Sequence, residues 1–260
     1  MYYPEELIRQ IREKSDIVNV ISRYVSLTRK GRNYFGLCPF HGEKTPSFSV
    51  NPAEQFYHCF GCGVGGNVFT FLQNMENISF VEAVQQLAEE AHIPLPEMEL
   101  SPKEKARIAR RERMYEANRD AARFFYVQLV KSPYGAAARE YLAGRQVSEA
   151  YLKKFGLGYA PISRDALSRY LMSKGYEPEL LRAACLMGGD ASRVYDRFFN
   201  RVMFPIFDIR GRVIAFGGRV IGKGEPKYLN SSDTELFNKR KNLYAMNLAK
   251  KSRRKQALMV

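Results

Sequence analysis

The stretch "CPFHGEKTPSF" (38–48) and the segment "QFYHCFGCGVGGN" (55–67) hold three of the four cysteines of a 260-residue chain. Cys38 and His41 are separated by two residues, Cys59 and Cys62 by two, and the two pairs by seventeen. Two such pairs with a spacer of roughly 15 to 20 residues match a tetrahedral structural zinc site, with Cys38, His41, Cys59 and Cys62 as ligands. Each pair suits a tight knuckle whose backbone N–H groups turn toward the sulfurs, and Gly61, Gly63, Gly65 and Gly66 supply permissive backbone for it. A Cys59–Cys62 disulfide would leave Cys38 and His41 unexplained, and four protein ligands leave no position for a catalytic water. His58 is expected to point away from the metal. Cys185 is expected on an apolar helical face and His92 at a helix end, both structural.

Composition bounds the reading. With 45% hydrophobic residues and 13% aromatics the chain can bury a core, so wholesale disorder is excluded. No stretch approaches the roughly 18 consecutive apolar residues of a membrane span, and "MYYPEELIRQ" lacks an apolar secretory core. A cytosolic setting follows, where clustered thiols bind metal more readily than they pair. The net charge of +14 is unevenly placed: residues 1–100 hold 8 Lys/Arg against 12 Asp/Glu, and residues 101–260 hold 33 against 15. A field of that sign and density predicts a polyanionic partner for the second part.

The periodicity predicts an α+β chain with a small zinc ribbon and flanking helices over 1–95. A linker over 96–112 and a mixed helix and antiparallel-sheet basic domain over 113–260 complete it. In the first part Leu7, Ile8 and Ile11 share a helical face, and Ser15 or Asp16 caps "IVNVISRYV". Short strands turn at Lys30-Gly31 and Asn51-Pro52, Asn67 caps "VFTFLQNME", and Ser79 with Glu82 makes a capping box. The Pro-interrupted, then charged run "HIPLPEMELSPKEKARIARRER" has the composition of a linker running into an exposed helix. Beyond it, helical spacing gives way to "RVMFPIFDIRGRVIAFGGRVI" (201–221), which reads as a hairpin across "DIRG".

Around the knuckles, Arg23, Arg29, Lys30, Arg32 and Lys44 interleave with Tyr24, Tyr34, Phe35 and Phe40, and Phe48, Phe56, Tyr57 and Phe60 follow. Cations with rings on a small sheet make a stacking platform for single-stranded bases, with Arg32 and Lys44 as candidate contacts and about half the rings expected in the core. The run "KKSRRKQ" (250–256) reads as a solvated face.

These residues resemble a known family. "CPFHGEKTPSF" with "FYHCFGCG" looks like the zinc-binding domain of bacterial DnaG-type DNA primases. "RVMFPIFDIRGRVIAFGGRV", "PKYLNSSDTELFNK" and "LYAMNLA" look like the start of the primase RNA polymerase domain. The resemblance implies zinc on Cys38, His41, Cys59 and Cys62, and template or nucleotide contacts at Arg145, Arg219, Lys227, Tyr228 and Lys239. Gly217 and Gly218 beside Arg219 would let a phosphate approach the sheet closely. The family's Toprim fold, which carries the carboxylates for two metal ions, would begin where this chain ends. The acids after residue 190 show no D-x-D pattern.

The implied function is a nucleotidyltransferase that synthesises short RNA primers on single-stranded DNA during replication, with one structural Zn2+ and with Mg2+ or Mn2+ for the full enzyme. This piece alone is expected to be inactive, with no catalytic residue of its own. Implied partners are template, ribonucleoside triphosphates and the RNA–DNA primer, and a replicative helicase through a missing carboxyl-terminal domain. No membrane is involved, and the place is the cytoplasm at a bacterial fork. Two alternatives stay open on the residues alone: a non-catalytic single-strand-binding zinc protein, and the primase of a phage-type primase-helicase.

Overall fold

Helix α1 (Glu5–Lys14) opens the chain with Glu5 and Glu6 in its first turn and Arg12 and Lys14 in its last, the charge order that suits the helix dipole. In α2 (Ile17–Ile21) Asp16 is the cap, accepting from Asn19 N at 2.8 Å. Strands β1 (Thr28–Lys30), β2 (Asn33–Gly36), β3 (Phe48–Asn51), β4 (Phe56–Cys59) and β5 (Gly65–Gly66) form one antiparallel sheet in sequence order. In β4 the pleat sends Tyr57 and Cys59 inward and Phe56 outward. Helix α3 (Val68–Glu76) is capped by Asn67, and α4 (Phe80–Glu90) by the Ser79–Glu82 capping box.

The computed structural model describes residues 3–96, 101–189 and 194–249. It divides into two units, Met1–Ile108 and Ala109–Val260. The first buries Ile11, Ile17, Ile21, Phe48, Val50, Tyr57, Phe69, Phe71 and Leu72 in one core, and Cys38 and Cys59 belong to that same cluster. The metal-type ligands are thus anchored from below by apolar packing.

Helix α5 (Pro102–Val130) occupies the second half of the stretch whose composition suggested a linker. Its start has a physical signature: Ser101 Oγ accepts from Glu104 N at 3.3 Å and donates to its carboxylate at 3.2 Å, with Pro102 at the first helical position. Within the second unit α5 contributes Met114, Ala117, Ala121 and Phe125 to the core at three- and four-residue spacing.

Helices α6 (Ala136–Gly144) and α7 (Glu149–Phe155) follow, then β6 (Gly158–Ala160), α8 (Ala166–Ser173) and α9 (Pro178–Ala183). Strands β7 (Met187–Gly189) and β8 (Val194–Asp196) pair with each other. Strands β9 (Arg201–Phe207), β10 (Val213–Val220) and β11 (Tyr228–Asn230) complete a four-stranded antiparallel sheet in the order β11-β10-β9-β6, before α10 (Met246–Ala249). The β9–β10 hairpin turns because Asp208 Oδ1 accepts from Arg210 N (2.9 Å) and Arg212 N (2.8 Å). Phe216 of β10 meets Phe125 edge-on, with centroids 5.4 Å apart.

Two expectations change. Cys185 lies past the end of α9 in a left-handed turn (φ 57°), where its Sγ accepts from Ser232 N, because the helix stops after Ala183. Gly217 and Gly218 are buried against protein: a Cβ on Gly218 would stand 3.0 Å from Arg201 Cδ, and one on Gly217 would stand 3.0 Å from Asn230 Oδ1. Close packing within the sheet, rather than access for a phosphate, explains the glycines. The run 250–256 lies outside the described residues. Among the described residues no helix is long and apolar enough to cross a membrane.

Candidate metal centre and nucleic-acid interface

Strand β2 runs into Cys38, and β4 delivers Cys59 beside it, since Phe48 pairs with Cys59 across β3–β4. The turn after β4 then places Cys62, with Gly63 N donating to Cys59 O at 2.9 Å and Gly63 at φ +72°. Gly61 is required for space, because a Cβ there would sit 2.7 Å from His41 Nε2.

One ligand atom from each of Cys38, His41, Cys59 and Cys62 lies within 4.8 Å of the others. Cys38 Sγ stands 3.8 Å from Cys62 Sγ, and Cys59 Sγ 3.8 Å from His41 Nδ1. Ligands held about 2.0–2.3 Å from a tetrahedral zinc stand about 3.3–3.8 Å apart, the spacing that the Cys38–Cys62 and Cys59–His41 pairs already show, and three thiols with one imidazole are a donor set that suits this ion.

Glu43 orients the site. Its carboxylate accepts from Cys38 N (2.6 Å), from Ser47 N (3.2 Å) and from the Ser47 hydroxyl, and lies 3.3 Å from His41 Nε2. That contact fixes the imidazole with Nδ1 toward the sulfurs, the arrangement by which a carboxylate aligns a metal-binding histidine. Burial alone would raise the Glu43 carboxyl, but the hydrogen bonds from Ser47 and Cys38 outweigh it and hold the group below the usual carboxylate range. Burial likewise pushes the Cys38 thiol up to about 12. At Cys59 burial is overcome by Ser47, whose Oγ is 3.2 Å from the sulfur, and by backbone N–H groups of Cys62 and Gly61, which bring the thiol down to about 7. His58 is outside the cluster and packs edge-on against Phe60.

Of the rings near the knuckles, Phe48 and Tyr57 are fully buried, while Phe56 (44%) and Phe60 (72%) are exposed. Arg32, in the β1–β2 turn, and Lys44 are exposed on this unit.

The second unit collects the other candidates unevenly. Arg219 on β10 pairs across the ladder with Tyr228 on β11. Its Nε donates to Tyr228 Oη at 3.1 Å, and its guanidinium lies 5.6 Å from that ring. Arg219, Lys223, Glu225 and Lys227 line a pocket of about 370 Å³ with Tyr141. Arg145, just past α6, holds its guanidinium 5.6 Å from the Tyr141 ring. Arg145, Arg219, Lys227 and Tyr228 are thereby brought to one place. Lys239 is exposed and does not line this pocket; its N donates to Asp233 Oδ1 at 2.9 Å. Tyr141 and Lys223 were missed in the sequence. A tyrosine four residues before an arginine on a helix was the available signal.

Two family models match the chain: the CHC2 zinc finger over residues 3–103, and the N-terminal domain of the DNA primase catalytic core over 124–250. This chain belongs to the bacterial DnaG-type DNA primases. Among primase relatives, that of Geobacillus stearothermophilus is 45% identical over 99% of this chain and 44% of its own length. That of Listeria monocytogenes is 44% identical over 97% of this chain and 41% of its own. The chain spans less than half the length of these curated primases. The RNA polymerase domain of Mycobacterium tuberculosis primase DnaG is similar in structure, with TM-score 0.52 and 38% identity over 54% of this chain and 46% of that one. A DnaG primase catalytic domain bound to single-stranded DNA matches with TM-score 0.51 and 38% identity over 55% of this chain and 46% of that one. Among the described residues, no second group of three or more His, Cys, Asp or Glu side chains is gathered to hold an ion.

Proposed function

We propose that this chain supplies the template-handling part of a primase that joins ribonucleotides into short primers on single-stranded DNA. The zinc-held unit, up to about residue 95, reads single-stranded template through its exposed rings Phe56 and Phe60 with Arg32 and Lys44. The basic unit, from about residue 113, guides template and ribonucleoside triphosphate past Arg145, Arg219, Lys227 and Tyr228, with Lys239 as a further contact. Residues 96–112 connect the two. Zinc on Cys38, His41, Cys59 and Cys62 has a structural task, since four protein ligands leave no open position for substrate.

The observation that carries the reading is the pocket where Arg219 and Lys227 converge beside Tyr141. Cations among rings suit the phosphates and bases of a single strand. Support for a strand as ligand comes from the DnaG catalytic domain bound to single-stranded DNA. Nucleotidyl transfer needs a carboxylate cluster holding Mg2+ or Mn2+. None is gathered among the described residues, which supports a reading in which this chain alone binds but does not polymerise. In the full enzyme the product is the RNA–DNA primer, and a replicative helicase docks through sequence beyond this chain, at the cytoplasmic replication fork.

The test is direct. Zinc-loaded chain should bind a labelled single-stranded oligonucleotide in anisotropy and incorporate no ribonucleotides on a template. Template-dependent incorporation would misplace the catalytic metal site, and absence of strand binding would sink the reading.

A further inference from the structure

We infer that Tyr141 is a positioning residue for the basic pocket, holding the guanidinium groups of Arg145 and Arg219 against its ring so that both present their terminal nitrogens to the phosphates of a bound strand. This rests on the reading above that the pocket takes nucleic acid. Tyr141 sits on α6, and its ring has the Arg219 guanidinium 4.7 Å from its centroid and that of Arg145 at 5.6 Å. The two cations come from different elements, β10 and the end of α6. Brought together in water they would repel, and the negative face of a shared ring offsets that repulsion. Tyr228 holds Arg219 from a second direction through its ring and its hydroxyl. With Nε committed to Tyr228, the two Nη groups of Arg219 remain for the bidentate contact that phosphate favours.

The ring rather than the phenol does this. Tyr141 Oη has no hydrogen-bond partner among the described residues, whereas the ring packs against the small apolar cluster of Leu129, Leu142 and Val202. An arginine fixed beforehand loses less rotamer freedom on binding, so the pocket is preorganised for the strand.

The experiment uses the zinc-loaded 260-residue chain and anisotropy of a labelled single-stranded oligonucleotide across a salt series. Tyr141→Leu, which keeps apolar bulk but removes the π face, should weaken binding roughly 3- to 10-fold and flatten the salt dependence. Tyr141→Phe should restore the affinity to within about two-fold of the native chain, which a role for the hydroxyl would not allow. In an Arg145→Ala/Arg219→Ala background Tyr141→Leu should cost nothing more, because its two clients are gone. Thermal melting checks each fold, and Tyr141→Met replaces Leu if that variant melts early. Native affinity in Tyr141→Leu, or an equal loss with and without the arginines, overturns the inference alone, the latter pointing to direct stacking on a base. Native affinity in the double arginine variant overturns the pocket as the binding site.

Discussion

In the first unit Phe40, Phe48, Tyr57 and Phe71 meet one another, with ring centroids 5.2–6.3 Å apart. In the second, Tyr115, Tyr141, Tyr170, Tyr176, Phe199 and Tyr228 each lie against a cation, and every cation–π contact among the described residues is there. The same residue class therefore serves two ends. Where cations are few, rings pack together in the core to which Cys38 and Cys59 of the zinc site also belong. Where cations abound, rings hold them in place. The cations that lie against these rings, Arg113, Arg145, Arg164, Lys174, Arg212 and Arg219, are thus ordered by their neighbours.

The largest expected effect separates the units by what holds them. Cys59→Ser should abolish zinc binding and unfold residues of roughly 25 to 65, since structural zinc contributes on the order of 10–16 kcal/mol at neutral pH. Metal analysis should find one zinc per native chain and none in the variant. Hydrogen exchange should report reduced protection in β2–β5 with β9 and β10 still protected. Protected strands in a zinc-free, reduced chain would mean that the apolar core suffices without metal.

The converse variant acts on packing alone. Phe216→Ala empties a site with 0% exposure between Phe125 and Phe198, and should cost about 3–5 kcal/mol. Denaturant unfolding of the second unit should move while zinc content stays at one. Loss of zinc in this variant would break the division between the two modes of support.

Smaller still is an electrostatic effect inside the second unit. Burial raises the Asp120 carboxyl, but hydrogen bonds from Lys174 Nζ (3.0 Å) and Tyr176 Oη (2.9 Å) outweigh it and hold the group below its ordinary value of 3.8. A carboxyl whose folded pKa is depressed stabilises above its unfolded pKa, and that stability is lost as the pH falls through the folded value. Asp120→Asn should therefore cost about 1.5–3 kcal/mol at pH 7. The gap should close as the pH falls below 3.8, followed by thermal melting at several pH values. A gap independent of pH would assign the loss to packing.

Much of the fold could be read because local signals agreed with the tertiary outcome. Asp16, Asn67 and the Ser79–Glu82 box cap the helices that their spacing announced, and Asp208 turns the hairpin between two apolar runs. The four metal-type ligands were legible since paired spacing on one sheet leaves little choice of geometry. The charged run read as a linker passing into an exposed helix, but the point where that helix starts stayed hidden: "SPKE" opens α5 at Pro102, inside the stretch whose composition reads as linker. Gly217 and Gly218 were misread because sequence shows a missing side chain but not the Arg201 and Asn230 atoms that fill its place. Tyr141 was only half legible for a related reason: its pairing with Arg145 is local, but Arg219 arrives from a distant strand.

Whether the basic unit binds a strand through a defined pocket or through its overall field is decided by moving one positive charge at a time. The salt dependence of single-strand affinity should be measured for Lys227→Ala, Arg219→Ala and Lys131→Ala, the last an exposed lysine at the end of α5. Removing one cation that neutralises a phosphate of a single strand flattens the slope of log affinity against log salt by roughly 0.7. Lys227→Ala and Arg219→Ala should each show that change with weakened binding, and Lys131→Ala should leave affinity and slope at the native values. Equal weakening in all three would contradict the account, leaving attraction by net charge alone.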